Sequence, residues 1–162
     1  MSQLNPYEKF LDGRPLDVIL AATPDAIAEY LEAIGAHRAS VPPAPGKWSA
    51  AEIVCHLADC EIVFAFRLRQ TLAEDNPTIQ PFDQDKWALQ YPGIPAAAPL
   101  ETFSVLRKWN SLLILSVMPA AAGRTVTHPE RGTMTFQTLV ETMAGHDLNH
   151  LVQLRHIAEL HA

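Results

Sequence analysis

The sequence predicts an all-α protein, a four-helix bundle, on three observations. The thirteen prolines are clustered, and they leave four long stretches free of proline: 25–41, 46–76, 100–118 and 130–162. Because proline lacks a backbone N–H and clashes with the preceding turn, helix interiors avoid it. Each stretch also carries apolar residues at helical spacing. Strand signal is confined to one small predicted hairpin, with arms Thr125–Thr127 and Thr133–Thr135.

The first and third helices are bounded by proline and glycine. Thr23 followed by Pro24 predicts an N-cap and first helical residue, and Gly35 is the expected C-terminal stop. The third helix is expected to begin near Pro99 and to end before Pro119.

The second and fourth helices carry explicit start signals. Ser49 and Glu52 have the spacing of a capping box, in which each side chain bonds the other residue's backbone N–H. Nothing interrupts this helix until Asp75, so it is predicted over 49–75. Thr135 is the expected cap of a long amphipathic helix that runs close to the C-terminus.

Length and composition indicate one soluble domain. The 162 residues, 48% of them apolar, suffice for a single core, and we expect one domain over 1–162. No apolar run approaches the roughly 20 residues of a membrane span. A net charge of −6 argues against a nucleic-acid partner. Two closely spaced cysteines, Cys55 and Cys60, make no disulfide framework, so we expect a cytoplasmic protein.

Histidines supply the clearest chemical signal. His146 and His150 are four residues apart on the predicted fourth helix, about 40° from each other on its apolar stripe. A third histidine, His56, stands in apolar surroundings on the second helix. The simpler interpretation is three core histidines that only form hydrogen bonds. His37, His128 and His161 are expected at the surface.

The second helix also carries a polar face. Glu52, His56, Asp59, Cys60 and Arg67 fall on one side of an otherwise apolar helix. Burying such groups unpaired costs several kcal/mol, so they should share a metal, a ligand or one another. Simpler roles exist for some of them: Glu52 completes the capping box, Asp59 orients a histidine or pairs with Arg67, and the cysteines act as small buried apolar residues.

Two segments resemble a known family. Lys47–Glu61, K-W-S-A-A-E-I-V-C-H-L-A-D-C-E, is similar to a signature of the DinB-like, or YfiT-like, metal-binding four-helix bundles. Gly145–Ile157, with its H-D-L-N-H core, is similar to the family's closing segment. The resemblance implies an up-down-down-up bundle, with residues 77–99 as the crossover. It implies His56, His146 and His150 as metal ligands, Asp59 beside them, and a possible homodimer.

Three imidazoles would hold a divalent ion with open positions for a small-molecule substrate. Zinc and nickel are the first expectation, and imidazole also suits iron, manganese and copper. Characterised relatives imply a transferase or isomerase that uses a low-molecular-weight thiol such as bacillithiol or mycothiol. The alternatives are a metal-dependent hydrolase, with Asp59 or Glu52 relaying protons, and a non-catalytic metal-binding stress or interaction protein. Arg67 is expected to receive an anionic substrate group.

Overall fold

The computed structural model of the protein describes residues 4–160. A 3₁₀ turn, Glu8–Phe10, precedes the helices and strands, which are, in chain order, α1 (Leu16–Ile34), α2 (Ala36–Ala39), α3 (Ala50–Ala73), α4 (Gln84–Ala88), α5 (Ala97–Val117), β1 (Thr125–His128), β2 (Gly132–Thr135) and α6 (Phe136–Glu159). The four long helices form the predicted four-helix bundle. His161 lies outside the described residues.

The four long helices pack in a ring. Helix α1 lies against α5 and α6, and α3 lies against the same two helices. The core has two apolar halves: one contains Phe64, Phe136 and Met143, and the other contains Phe103 and Leu154. On α6 these halves are separated by a buried polar segment, which therefore lies near the middle of the bundle.

The predicted start of the first helix is wrong. Helix α1 begins at Leu16, and Thr23 and Pro24 lie inside it. The Thr23 hydroxyl donates a hydrogen bond to the Ile19 carbonyl, 2.9 Å away, instead of capping a helix. Pro24 cannot donate to the Leu20 carbonyl, but Arg107 Nη1 donates to that oxygen at 3.2 Å. A side chain from α5 thus replaces the missing backbone bond.

The other local signals are confirmed. Ser49 and Glu52 form the capping box: the Ser49 N–H donates to a Glu52 carboxylate oxygen at 2.7 Å, and the Glu52 N–H donates to the Ser49 hydroxyl at 3.3 Å. Gly35 ends α1 with a φ of 82°, a left-handed conformation that favours glycine. In the predicted hairpin, Thr125 stands opposite Thr135.

The link between α3 and α5 contains the short helix α4, which the sequence pattern did not predict. Contacts with β1 and α3 hold the link in place: Thr78 forms an isolated bridge with Thr127 of β1, and the Tyr91 hydroxyl donates to Asp59 on α3 at 2.6 Å. The up-down-down-up order of the long helices stays a prediction. Within residues 4–160, no helix has both the length and the apolarity needed to cross a membrane.

Candidate metal centre

Three histidine side chains meet in the interior of the bundle. His56 comes from α3, and His146 and His150 come from consecutive turns of α6. The Nε2 atom of His146 lies 3.0 Å from that of His56 and 3.2 Å from that of His150. All three residues are at most 5% exposed, and one ligand atom from each lies within 4.8 Å of the others. The structure therefore brings together the three histidines that the sequence singled out.

The three imidazoles are neutral at physiological pH. Burial, and then repulsion from His150, lower the pKa of His56 to about 3. Burial lowers the pKa of His150 to about 4, although Gln153 opposes the shift. Burial and the two neighbouring histidines also lower the pKa of His146. Neutral imidazoles have a free lone pair, and divalent transition metals bind that form. The chemistry of this donor set fits a divalent metal ion such as zinc.

Neighbouring side chains fix the orientation of the histidine rings. His150 Nδ1 lies 3.2 Å from Gln153 Oε1, so the Nδ1 proton is donated to the amide oxygen and Nε2 is left as the acceptor. The Trp48 ring lies 4.9 Å from the His56 ring, between centroids. The Tyr7 ring meets His146 edge-on at 5.1 Å. Each imidazole is thus held by at least one neighbour outside the triad.

Gly145 has a steric role next to His146. A Cβ atom at this position would lie 2.6 Å from the Tyr7 carbonyl oxygen and 2.8 Å from the Tyr7 Cβ. Real Cβ atoms do not approach other atoms so closely, so only glycine lets the N-terminal segment pack here. The glycine of the Gly145–Ile157 segment therefore places Tyr7 over the histidine cluster.

Cys60 borders the cluster. Its Sγ lies 3.5 Å from His56 Nε2 and 3.8 Å from His146 Nε2. Among residues 4–160, the group of metal-ligating atoms that lie within 4.8 Å of one another comes from the three histidines alone. Burial, and then the charge of Asp59, raise the pKa of this thiol, so it stays protonated. Cys55 is buried as well, as the sequence suggested.

Asp59 and Arg67 form hydrogen bonds with different partners. Asp59 accepts the hydrogen bond from Tyr91, and in the described part of the chain no hydrogen bond joins it to a histidine. Arg67 is 9% exposed, and one Nη2 proton is donated to the Gln80 carbonyl at 2.8 Å. The pair between these two residues, one of the alternatives that the sequence left open, is not formed within residues 4–160. Their catalytic roles stay predictions.

A buried ionic cluster, which the sequence analysis missed, lies beside the histidines. Arg107 of α5 pairs with Glu61 of α3 at 2.8 Å and with Asp147 of α6 at 2.5 Å, and all three side chains are at most 3% exposed. Asn110 also donates to Glu61, at 2.9 Å. Asp147 is the residue between the ligand-like histidines that invites comparison with the zinc-protease H-E-x-x-H motif, but its carboxylate belongs to this ionic cluster.

Two cavities border the histidine cluster. His56 and His150 line a cavity of about 870 Å³, together with Lys47, Trp48 and Gln153. His146 lines a second cavity of about 270 Å³. The cluster is therefore accessible to a molecule that enters either cavity. A volume of 870 Å³ is in the range of small-molecule sites in enzymes.

Known proteins match both the sequence and the fold. The family model of the DinB superfamily matches residues 19–154. A protein of Oceanobacillus iheyensis, provisionally named a metal-dependent hydrolase, is 32% identical over 111 residues, which span 67% of this chain and just under two thirds, 64%, of that relative. A protein of Bacillus mycoides with the same provisional name is 26% identical over 84% of this chain and 79% of its own length.

The solved structure of YfiT from Bacillus subtilis has the same fold. It is described as a probable metal-dependent hydrolase with an unusual four-helix bundle topology. It superposes with a TM-score of 0.83 over 90% of this chain and 85% of its own, at 19% sequence identity. At that identity the match establishes the fold alone. With a family model that spans most of its length and a fold that agrees, the chain belongs to the DinB superfamily.

Proposed function

We propose that this protein is a metal-dependent hydrolase of small molecules. The observation that carries the proposal is the convergence of three buried, neutral imidazoles that line two cavities. Three protein ligands leave coordination positions open, which is typical of catalytic sites, whereas structural zinc sites are closed by four ligands. The provisional names of two relatives, metal-dependent hydrolases, support the same reaction class.

Each histidine has a defined part in this proposal. His56, His146 and His150 would hold the ion through Nε2, and Gln153 keeps His150 in the tautomer that permits it. A divalent ion supplies Lewis-acid chemistry, which polarises a carbonyl or phosphoryl group and makes water a stronger nucleophile at neutral pH. The larger cavity, with Trp48 on its wall, would receive the apolar body of a substrate.

The thiol-dependent reaction expected from the sequence has less support. Both relatives carry names of metal-dependent hydrolases, and neither name mentions a thiol. Thiol-dependent turnover therefore enters as an outcome of the test. The cytoplasmic location and the homodimer stay predictions.

The test is a hydrolysis screen of metal-loaded protein on chromogenic esters, phosphoesters and amides, with and without a low-molecular-weight thiol. We expect metal-dependent turnover without thiol. His150→Ala should abolish it while keeping the helical circular dichroism spectrum. His37→Ala is the matched control because His37 is exposed on α2, and it should keep full activity. Turnover only with thiol would favour the transferase, and no turnover with any loaded metal would refute hydrolysis.

A further inference from the structure

The smaller cavity has a cationic wall. It begins at His146 and Cys60 on the metal side and extends between α3, the start of the link and the hairpin turn. Two arginines, Arg67 and Arg131, and His128 line it. The chain has a net charge of −6, yet two arginines line this one cavity of about 270 Å³, so positive charge is concentrated there.

Arg67 is a buried cation without a carboxylate partner among residues 4–160. Its side chain is nine-tenths buried. Its Nη2 donates a hydrogen bond to the neutral Gln80 carbonyl, and its Cζ lies 6.0 Å from the centroid of the Phe82 ring. Its Nε proton is buried and has no acceptor in the described part of the chain. Burying a charge without a counter-charge is costly. A buried cation that lines a cavity and lacks a carboxylate partner indicates that an anion completes the site.

His128 provides a second donor on the same wall. Its place in a predicted turn indicated a surface residue, and that prediction is wrong: His128 is 4% exposed, because the hairpin turn folds it toward the cavity. Its Nδ1 accepts a hydrogen bond from the Glu130 N–H at 3.2 Å. The neutral ring therefore has its proton on Nε2, and no hydrogen bond from residues 4–160 involves that atom. Of the described residues, Glu130 is the one carboxylate that lines this cavity, and its side chain is exposed.

The electrostatics agree with this geometry. Burial, followed by repulsion from Arg131, lowers the pKa of Arg67. Burial, followed by repulsion from Arg131 and Arg67, lowers the pKa of His128, and Glu130 opposes the shift only as the smallest cause. Arg67 and His128 thus experience a positive potential, which would favour an anion in the cavity.

We propose that the smaller cavity is a subsite for an anionic group of the substrate, a carboxylate or a phosphate, held by Arg67 and Arg131 with the Nε2–H of His128 as a further donor. This inference rests on the proposed function, since it places the anion next to the centre where hydrolysis occurs. The guanidinium fork of arginine matches both oxyanions. The volume, just below the 300–1,000 Å³ typical of small-molecule pockets, admits one such group and excludes a bulky one.

The experiment titrates inorganic phosphate and acetate separately into zinc-loaded protein by calorimetry. We expect at least one of the two anions to bind. Arg67→Gln and Arg131→Gln should each weaken binding about tenfold or more, because each removes a charge-assisted hydrogen bond. Arg155→Gln is the matched control, since Arg155 lies on the exposed face of α6 beside Glu159, and it should bind like the wild type. If Arg67→Gln fails to fold, Arg131→Gln decides the question.

The outcomes separate this inference from the proposed function. Binding of phosphate alone selects phosphoryl substrates, and binding of acetate, alone or with phosphate, selects carboxylates. No binding of either anion to the wild type, or equal binding by the wild type and both arginine variants, would overturn the subsite. Zinc content and hydrolysis of a neutral ester test the metal centre independently. Their persistence without anion binding refutes the subsite alone, and anion binding through Arg67 without hydrolysis refutes hydrolysis alone.

Discussion

Gln153 offers a sharp test of the metal centre because it acts on one histidine through one hydrogen bond. Gln153→Leu removes the acceptor that holds the Nδ1 proton of His150, at 3.2 Å in the structure. Loss of such a partner weakens metal affinity 10–100-fold in comparable sites. Gln153 is exposed, so water can replace part of the bond. We therefore expect the lower end of that range, about tenfold or about 1.4 kcal/mol.

The assay is competition for zinc against a chromogenic chelator at neutral pH. Gln153→Glu keeps an acceptor and adds charge, so it should bind zinc at least as tightly as the wild type. Gln137→Leu is the matched control, because Gln137 is an exposed glutamine of the same helix whose amide donates to Glu141, far along α6 from the histidines. If Gln153→Leu binds zinc as tightly as Gln137→Leu, the orientation of His150 does not depend on Gln153 and the reasoning is refuted.

Four further predictions concern the surroundings of the cluster. Arg107→Met leaves two buried carboxylates without their cation, so urea denaturation should show a loss of about 3–5 kcal/mol in the free energy of unfolding. A loss below about 1 kcal/mol would contradict the ionic cluster. Gly145→Ala should displace Tyr7, which would appear as a lower melting temperature and faster proteolysis of the N-terminal segment; an unchanged pattern would contradict the close packing. Cobalt-loaded protein should lack a thiolate-to-cobalt absorption band, and a band lost in Cys60→Ser would instead make Cys60 a ligand. Metal-free protein should lose stability as the pH falls from 6.5 toward 4. In that range the histidines of the unfolded chain bind protons, whereas folded His150, with a pKa of about 4, stays neutral. Urea midpoints at both pH values check this, and the drop should be smaller in His150→Gln.

The features that the sequence predicted are local ones. Ser49 and Glu52 are three residues apart and form the capping box without help from the rest of the fold. His146 and His150 are four residues apart, so any helix that includes both places them on one face. The approach of His56 to this pair is a long-range contact that no local spacing indicates. It was predicted from the resemblance to a known family.

The features that were missed depend on contacts between distant segments. The Arg107 side chain reaches α1, α3 and α6, and no local spacing indicates which carboxylates it meets. The same arginine explains the wrong start of α1, since its bond to the Leu20 carbonyl lets the helix continue through Pro24. The available signal was chemical: Glu61 and Asp147 are carboxylates on helices that contribute to the core, and a buried carboxylate requires a partner.

The ionic cluster also bears on whether a metal would serve chemistry or structure here. Glu61 and His56 are both on α3, and Asp147 and His146 are both on α6, so Arg107 connects the same two helices that the three histidines would connect through a metal. This connection is formed by the protein alone and is fully buried. A metal would therefore add a second link where one exists already, and a protein has little need of an incompletely coordinated ion as a brace. The arrangement favours a centre whose open positions serve a substrate.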